Sequence, residues 1–534
     1  MPGAGIHGTE LILLTLVTSV ALLAALAQKL KTPYPIVLVL GGLVLSFVPA
    51  VPNVSLNPTF IFLVVLPPLL FASALNTSWR EFRHNIVMIG LLAFALVGFT
   101  VAGVAVAAHL LMPGFDLKTG AVLGAVVCTT DAIAAGAIAR RVGLPRRLVD
   151  IIEGESLIND ASGLLALQFA AAIVASGTAP SLLHGFWQLL YLVGGGIAAG
   201  MLVGKIISLF ERPLQGSALQ TLVSVATPYF AYLLGEGIHA SGVLATVACG
   251  LYIGRKASDT FTSEARLDSR AVWNTIDFAL NGFVFILIGL QLPAVLDGMR
   301  PLNWPRLIGG AAFVCALVIA LRIVWMFPGA RLAHFIQRRL LHQQIARPNP
   351  RELFVIGWSG MRGVLALAAA LSLPVVTDTG NPFPHRQAII FLAFSVILVT
   401  LVGQGLSLPV IIRKLRVCES THDQLEERVA RRALLSAALE SLVKMRDSNE
   451  TTDEVSLDLL ERYYRQRLKD LGPDDDHHSS AQRDRIYANL SGRLRQVERN
   501  ELVKLRDNGE IGDGTLRKLE RELDLLDMRW RVSS

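Results

Sequence analysis

Residues 151–175 read IIEGESLINDASGLLALQFAAAIVA and place Glu155 and Asp160 inside an apolar stretch long enough to lie in lipid. An ionised acid at the centre of a bilayer is unfavourable by at least ~2.5–3.5 kcal/mol, so such groups mark ion or proton paths. On a helix, Glu155, Ser156, Asn159, Asp160 and Gly163 share an arc of about 140° and form one polar stripe. Carboxylate, hydroxyl and amide oxygens suit a hard monovalent cation, and unwound backbone nearby adds carbonyls. The same carboxylate can take a proton instead, so H+ and a cation can compete for one site. If that site crosses the membrane only when loaded, two opposed fluxes are coupled with no cofactor. Arg322 and Arg362 also lie inside apolar runs and each needs a partner. Arg362 facing Glu155 is the preferred pair, leaving Asp160 to titrate, with Arg322 as the secondary candidate; the opposite pairing would make Glu155 the ion ligand.

The elements that must position these groups are membrane helices. Of 534 residues, 52% are hydrophobic and the mean hydropathy is +0.51, more than a soluble core needs. Apolar windows fall near 9–28, 34–51, 58–75, 85–112, 118–140, 148–176, 184–210, 216–235, 239–256, 271–293, 306–329, 352–376 and 387–412. The expected fold is therefore all-α and polytopic, with about thirteen transmembrane helices over residues 1–413 and a soluble helical tail over 414–534. That tail holds 23 Lys and Arg against 25 Asp and Glu, so the basic excess behind the pI of about 9.3 belongs to the membrane part. Alternate loops there carry eighteen Lys and Arg against four in the intervening ones. This bias predicts an outside N-terminus and a cytoplasmic tail, in what is expected to be a bacterial inner membrane, and explains the basic pI without nucleic acid. No basic region precedes the first apolar run, which is expected to be retained as a helix. The four cysteines imply no disulfide framework.

Thirteen helices can be two inverted repeats of six around a linker, which pairs the fifth window with the twelfth. The fifth contains CTTD (128–131) and the twelfth GWSGMRG (357–363). Glycine tolerates non-helical backbone, and Ser and Thr can satisfy the freed peptide groups, so both helices are expected to be discontinuous. Thr130 and Asp131 then join the polar stripe as cation ligands. Asp277 and Asn281, one turn apart, either line a funnel or sit at the interface, and Glu236 and His239 read as a solvated loop. The tail shows no GxGxxG or P-loop, and its DDDHH run (474–478) reads as a solvated linker. The tail is expected to act as a regulatory or dimer-contact module.

The segments LPPLLFASALN (66–76), TTDAIAAGAIARRVGLP (129–145), EGESLINDASG (153–163), HASGVLATVACGLYIG (239–254), FVFILIGLQL (283–292) and GMRGVLALAAALSLP (360–374) resemble the sodium/proton exchanger branch of the monovalent cation:proton antiporters. The resemblance covers about residues 9–413. It implies that Asp160 carries ion and proton, with Ser156, Asp131 and the Thr130 main chain completing the cation site. Asn159 stands where electrogenic relatives have a second Asp, which implies electroneutral exchange of one Na+ (or Li+ or K+) for one H+. The resemblance also favours Glu155 with Arg362 as a structural pair, and homodimers that move a six-helix core against a dimerisation domain. Two positions depart from the pattern. Ala72 and Ser73 stand where many relatives have a Glu, and Ala132 and Ile133 replace the more usual Pro-Val. A monovalent cation channel would need an acidic ring or filter, and a membrane acid/base enzyme a nucleophile or metal-ligand cluster; neither motif is evident.

Overall fold

The computed structural model describes most of residues 6–470, apart from 49–55, 177–181, 212–213, 215, 261–262, 300–303, 343–347, 379, 418–420 and 448–453, together with isolated positions beyond 470. Among the described residues the chain is helical, without strands. The apolar windows become α1 (Ile6–Lys29), α2 (Tyr34–Leu45), α3 (Pro58–Asn76), α4 (Ile86–Leu111), α5 (Leu117–Val127), α6 (Ala132–Val142), α7 (Arg146–Ser176), α8 (Leu182–Glu211), α9 (Ser217–Gly237), α10 (Gly242–Thr260), α11 (Ser263–Leu290), α12 (Trp304–Arg339), α13 (Pro350–Trp358), α14 (Val364–Leu371) and α15 (Arg386–Leu415). Seven of these helices are individually long and apolar enough to cross a membrane by length and composition. The fifth and twelfth windows each yield two short helices, α5/α6 and α13/α14, in matching places. The second helix ends at Leu45, short of the expected 51. Pro49 and Pro52 lie outside the described residues, as does Cys418; Cys128, Cys249 and Cys315 are free and buried.

Packing sorts the helices into two groups. One contains α1–α3 and α8–α11, where small residues bring backbones together: Gly200 abuts the Ala245 main chain, and Gly42 abuts Ile286 and Gly289. The other contains α4–α7 and α12–α15, which are windows four to six and eleven to thirteen. α4 and α15 each contain a π-helical turn, at Leu91–Ala95 and Thr400–Gln404. Both turns touch the site: Ser162 of α7 donates to the Ala93 carbonyl, and the Thr400 hydroxyl accepts from the Arg362 amide at 3.1 Å. π-turns of this kind recur at functional positions.

The chain divides into two compact units, Met1–Glu419 and Ser420–Ser534. Within the second, Thr421–Asp447 and Glu454–Asp470 form two helices joined by Arg446, which reaches Asp458 at 2.6 Å and Glu461 at 2.8 Å. The 474–478 run and most other positions beyond 470 lie outside the described residues.

Candidate functional site

The breaks in the fifth and twelfth windows meet. The Asp131 amide donates to the Met361 carbonyl at 2.7 Å, tying residues 128–131 to residues 359–363. Four half-helix ends therefore converge inside the apolar bundle, two offering unpaired carbonyls and two unpaired amides. Arginines serve the carbonyl ends. Arg362 donates to Val127 O at 3.1 Å, at the end of α5, and to Gly360 O. Arg322 donates to Gly357 O at 3.1 Å and Ile356 O at 3.2 Å, in the last turn of α13. An acid serves the amide ends: Asp131 Oδ1 accepts from Ile133 N at 2.8 Å, capping α6. The Asp131 carboxylate also lies against Gly363, at the start of α14, so closely that a Cβ there would collide with it. Each charge thus faces the helix dipole of opposite sign.

Helix α7 runs alongside the crossing and holds the unwound chain. Ser156 Oγ donates to Thr130 O at 2.7 Å. Asn159, fully buried, reaches Thr130 Oγ1 at 3.3 Å and Cys128 O at 3.5 Å. Gly163 supplies the clearance, because a side chain there would strike Thr129. Glu155, Ser156 and Asn159 all turn inward, in keeping with the stripe, and Thr130 donates to Glu155 Oε1 at 3.4 Å.

The expected Glu155–Arg362 pair does not form. Glu155 takes Arg322 instead, through two contacts of 2.5 and 2.8 Å, with the two side chains 0% and 2% exposed. Arg362 donates instead to carbonyls at the helix crossing. The two acids of α7 differ in their partners: Glu155 is paired, whereas Asp160 has no hydrogen bond or ion pair among the described residues. Asp160 instead lines a cleft of about 610 Å³, solvent-open space included, together with Thr129, Thr130, Asp131 and Ser156. The opposite wall consists of Leu66, Leu69, Leu70 and Ser73 of α3, and Asn281, Val284 and Phe285 of α11. Ser73 therefore brings a hydroxyl to the cavity and no acid.

Arg322, the secondary candidate, is the partner of Glu155, and two features escaped the sequence altogether: the bracing by Asn159 and the cap made by Asp131. Only the last left a readable signal, since Asp before an apolar helical run is a common N-cap. Glu236, read as a loop residue, also has a defined contact, accepting from Gly242 N at 3.2 Å where α10 begins.

Interrupted helices crossing beside an acid-lined cleft in an apolar bundle define a membrane transporter of the secondary type. The family profile described as sodium/hydrogen exchanger, transmembrane, matches residues 15–414, and the chain belongs to this family. An uncharacterized Na+/H+ exchanger of Mycobacterium tuberculosis is 33% identical over 98% of each chain. The sodium, potassium, lithium and rubidium/H+ antiporter of Bacillus subtilis is 30% identical over 97% of this chain and 78% of its own. These relatives are named as exchangers and antiporters, not enzymes. The sodium proton antiporter MjNhaP1 of Methanocaldococcus jannaschii shares the fold, with a TM-score of 0.62 at 20% identity over 76% of this chain and 98% of that one.

Proposed function

We propose that this chain exchanges Na+, or Li+ or K+, for H+ across a bacterial plasma membrane by alternating access, one ion for one proton. The observation behind this reading is Asp160, a carboxylate on the cleft wall at the helix crossing, served by no protein donor among the described residues. Asp160 binds the cation with Asp131, Ser156 Oγ and the Thr130 carbonyl, and takes a proton when the cation leaves. A cation and a proton carry equal charge, so one carboxylate cycling between them moves no net charge. Asn159 supports that stoichiometry because its neutral amide braces the unwound chain in place of a second acid. Glu155, neutralised by Arg322, supports the frame and stays out of the cycle. The group of α4–α7 and α12–α15 would be the part that moves, against the group of α1–α3 and α8–α11 that pairs two copies in a homodimer. The basic-loop bias supports an N-terminus outside and a helical tail in the cytoplasm, where the tail would regulate exchange.

Purified protein in liposomes containing a pH dye tests the reading. Adding Na+ outside should release protons from the lumen, and Asp160→Asn should abolish the response while the protein still elutes as a folded species. Full exchange by that variant would overturn the assignment.

A further inference from the structure

The cleft has two unlike walls. The Asp160 wall is rich in oxygen, whereas the facing wall from α3 and α11 is apolar except for Ser73 and Asn281. Asn281 is only 1% exposed, and its Nδ2 donates to Asp277 Oδ1 at 3.0 Å, one turn away on α11. With the amide nitrogen bonded to Asp277, the carboxamide oxygen has no hydrogen bond among the described residues, and Asn281 lines the cleft. We infer that Asn281 supplies a cation-contacting oxygen on the wall opposite Asp160, oriented by Asp277, and that this oxygen sets how the cleft ranks alkali cations. The inference rests on the antiport reading and extends it to a group outside the α7 stripe.

The physical argument is one of replaced hydration. A cation entering between an oxygen-rich wall and an apolar one loses waters that only the first wall can replace. A neutral amide oxygen on the second wall restores one ligand without adding a charge, and so leaves the one-for-one balance intact. Orientation decides whether the group helps or hinders, because a carboxamide presents an acceptor on one side and two N–H donors on the other. Asp277, as an acceptor, holds the donors away from the ion. Asp277 is therefore a positioning residue, and Asn281 the one that touches the cargo. Val284 and Phe285, one turn further along α11, offer the ion no oxygen from their side chains.

The test uses the full chain in liposomes, with initial rates measured against Na+, Li+ and K+. Asn281→Ala should raise the apparent KM for Na+ by roughly 3- to 10-fold, the scale of one polar contact, with a smaller change in maximal rate. The rise should be largest for Li+, whose hydration is hardest to replace, and smallest for K+. Asn281→Ser, which keeps an oxygen, should fall between wild type and Ala, and serves as the readout if the Ala variant does not fold. Asp277→Ala should resemble Asn281→Ala. Asp277→Asn, whose amide oxygen can still accept from Asn281, should lie much nearer wild type. An unchanged KM and cation order in the Asn281 variants would overturn the inference. Equal effects from Asp277→Asn and Asp277→Ala would replace orientation by simple charge attraction and overturn the role of Asp277. If the wild-type protein shows no cation-driven proton movement, the antiport reading itself fails, an outcome distinct from both.

Discussion

Removing either partner of the Glu155–Arg322 pair leaves a charge stranded in the bundle interior. The two side chains are 0% and 2% exposed and meet through contacts of 2.5 and 2.8 Å. Breaking such a pair from one side costs about 3–5 kcal/mol, most of it from the uncompensated charge. Glu155→Gln should lose stability on that scale. Arg322→Met should lose more, because Arg322 also holds the Gly357 and Ile356 carbonyls, worth about 1 kcal/mol each. Replacing both residues strands no charge, so the double variant should be far less destabilised than the sum of the two single ones. Unfolding of the detergent-purified protein, followed by tryptophan fluorescence through a double-mutant cycle, measures the coupling directly. Glu155 should couple to Arg322 by at least ~2 kcal/mol and much less to Arg362. Additivity within about 0.5 kcal/mol, or a stronger coupling of Glu155 to Arg362, would refute the pairing.

The other expectations concern the crossing and its approach. Asp131→Ser keeps a side-chain cap for α6, whereas Asp131→Ala loses it at a cost of about 0.5–2 kcal/mol. Thermal melts should therefore separate the two variants, while both should lose cation affinity in transport assays because the carboxylate is gone. Gly363→Ala drives a Cβ into the Asp131 carboxylate, so cation-driven proton flux should fall sharply even where expression is retained. Asp116 caps α5 through Thr119 N at 2.8 Å, outside the membrane spans. Partial burial opposes ionisation of its carboxyl, yet hydrogen bonds from the Thr119 side chain and amide prevail and hold it below the usual carboxylate value of 3.8. A depressed folded value stabilises above the unfolded one and is lost as pH falls through the folded one. The stability gap between wild type and Asp116→Ala should accordingly be full near neutrality and should close only below about pH 4.

Much of the architecture was readable because lipid imposes one rule on every span: apolar side chains outside and satisfied backbone within. The helix breaks were readable for the same reason, since Gly, Ser and Thr clusters inside apolar runs mark where that rule is relaxed. The stripe on α7 was legible from its spacing alone. What spacing did not convey was which arginine met which acid. Glu155 and Arg322 are 167 residues apart, and Arg362 was as apolar in its surroundings as Arg322. The decisive factor was local: Arg362 sits within the break itself, where unpaired carbonyls of α5 and of its own loop take its donors. Arg322, on the uninterrupted α12, reaches both the end of α13 and the acid of α7. Likewise, Asn159 read as the neutral neighbour of the carrier, but its contacts to residues on the unwound chain became visible only once α7 and the break lay side by side.

Titration calorimetry of the purified protein with Na+ at several pH values, repeated in buffers of different ionisation heat, asks most directly whether cation and proton share Asp160. One proton should leave for each Na+ bound, and Na+ affinity should weaken by up to about tenfold for each pH unit lowered once the site is protonated. Asp160→Asn should remove both binding heat and proton release. Na+ binding that is indifferent to pH, or that survives in Asp160→Asn with its proton release intact, would contradict a single competitive site at this carboxylate.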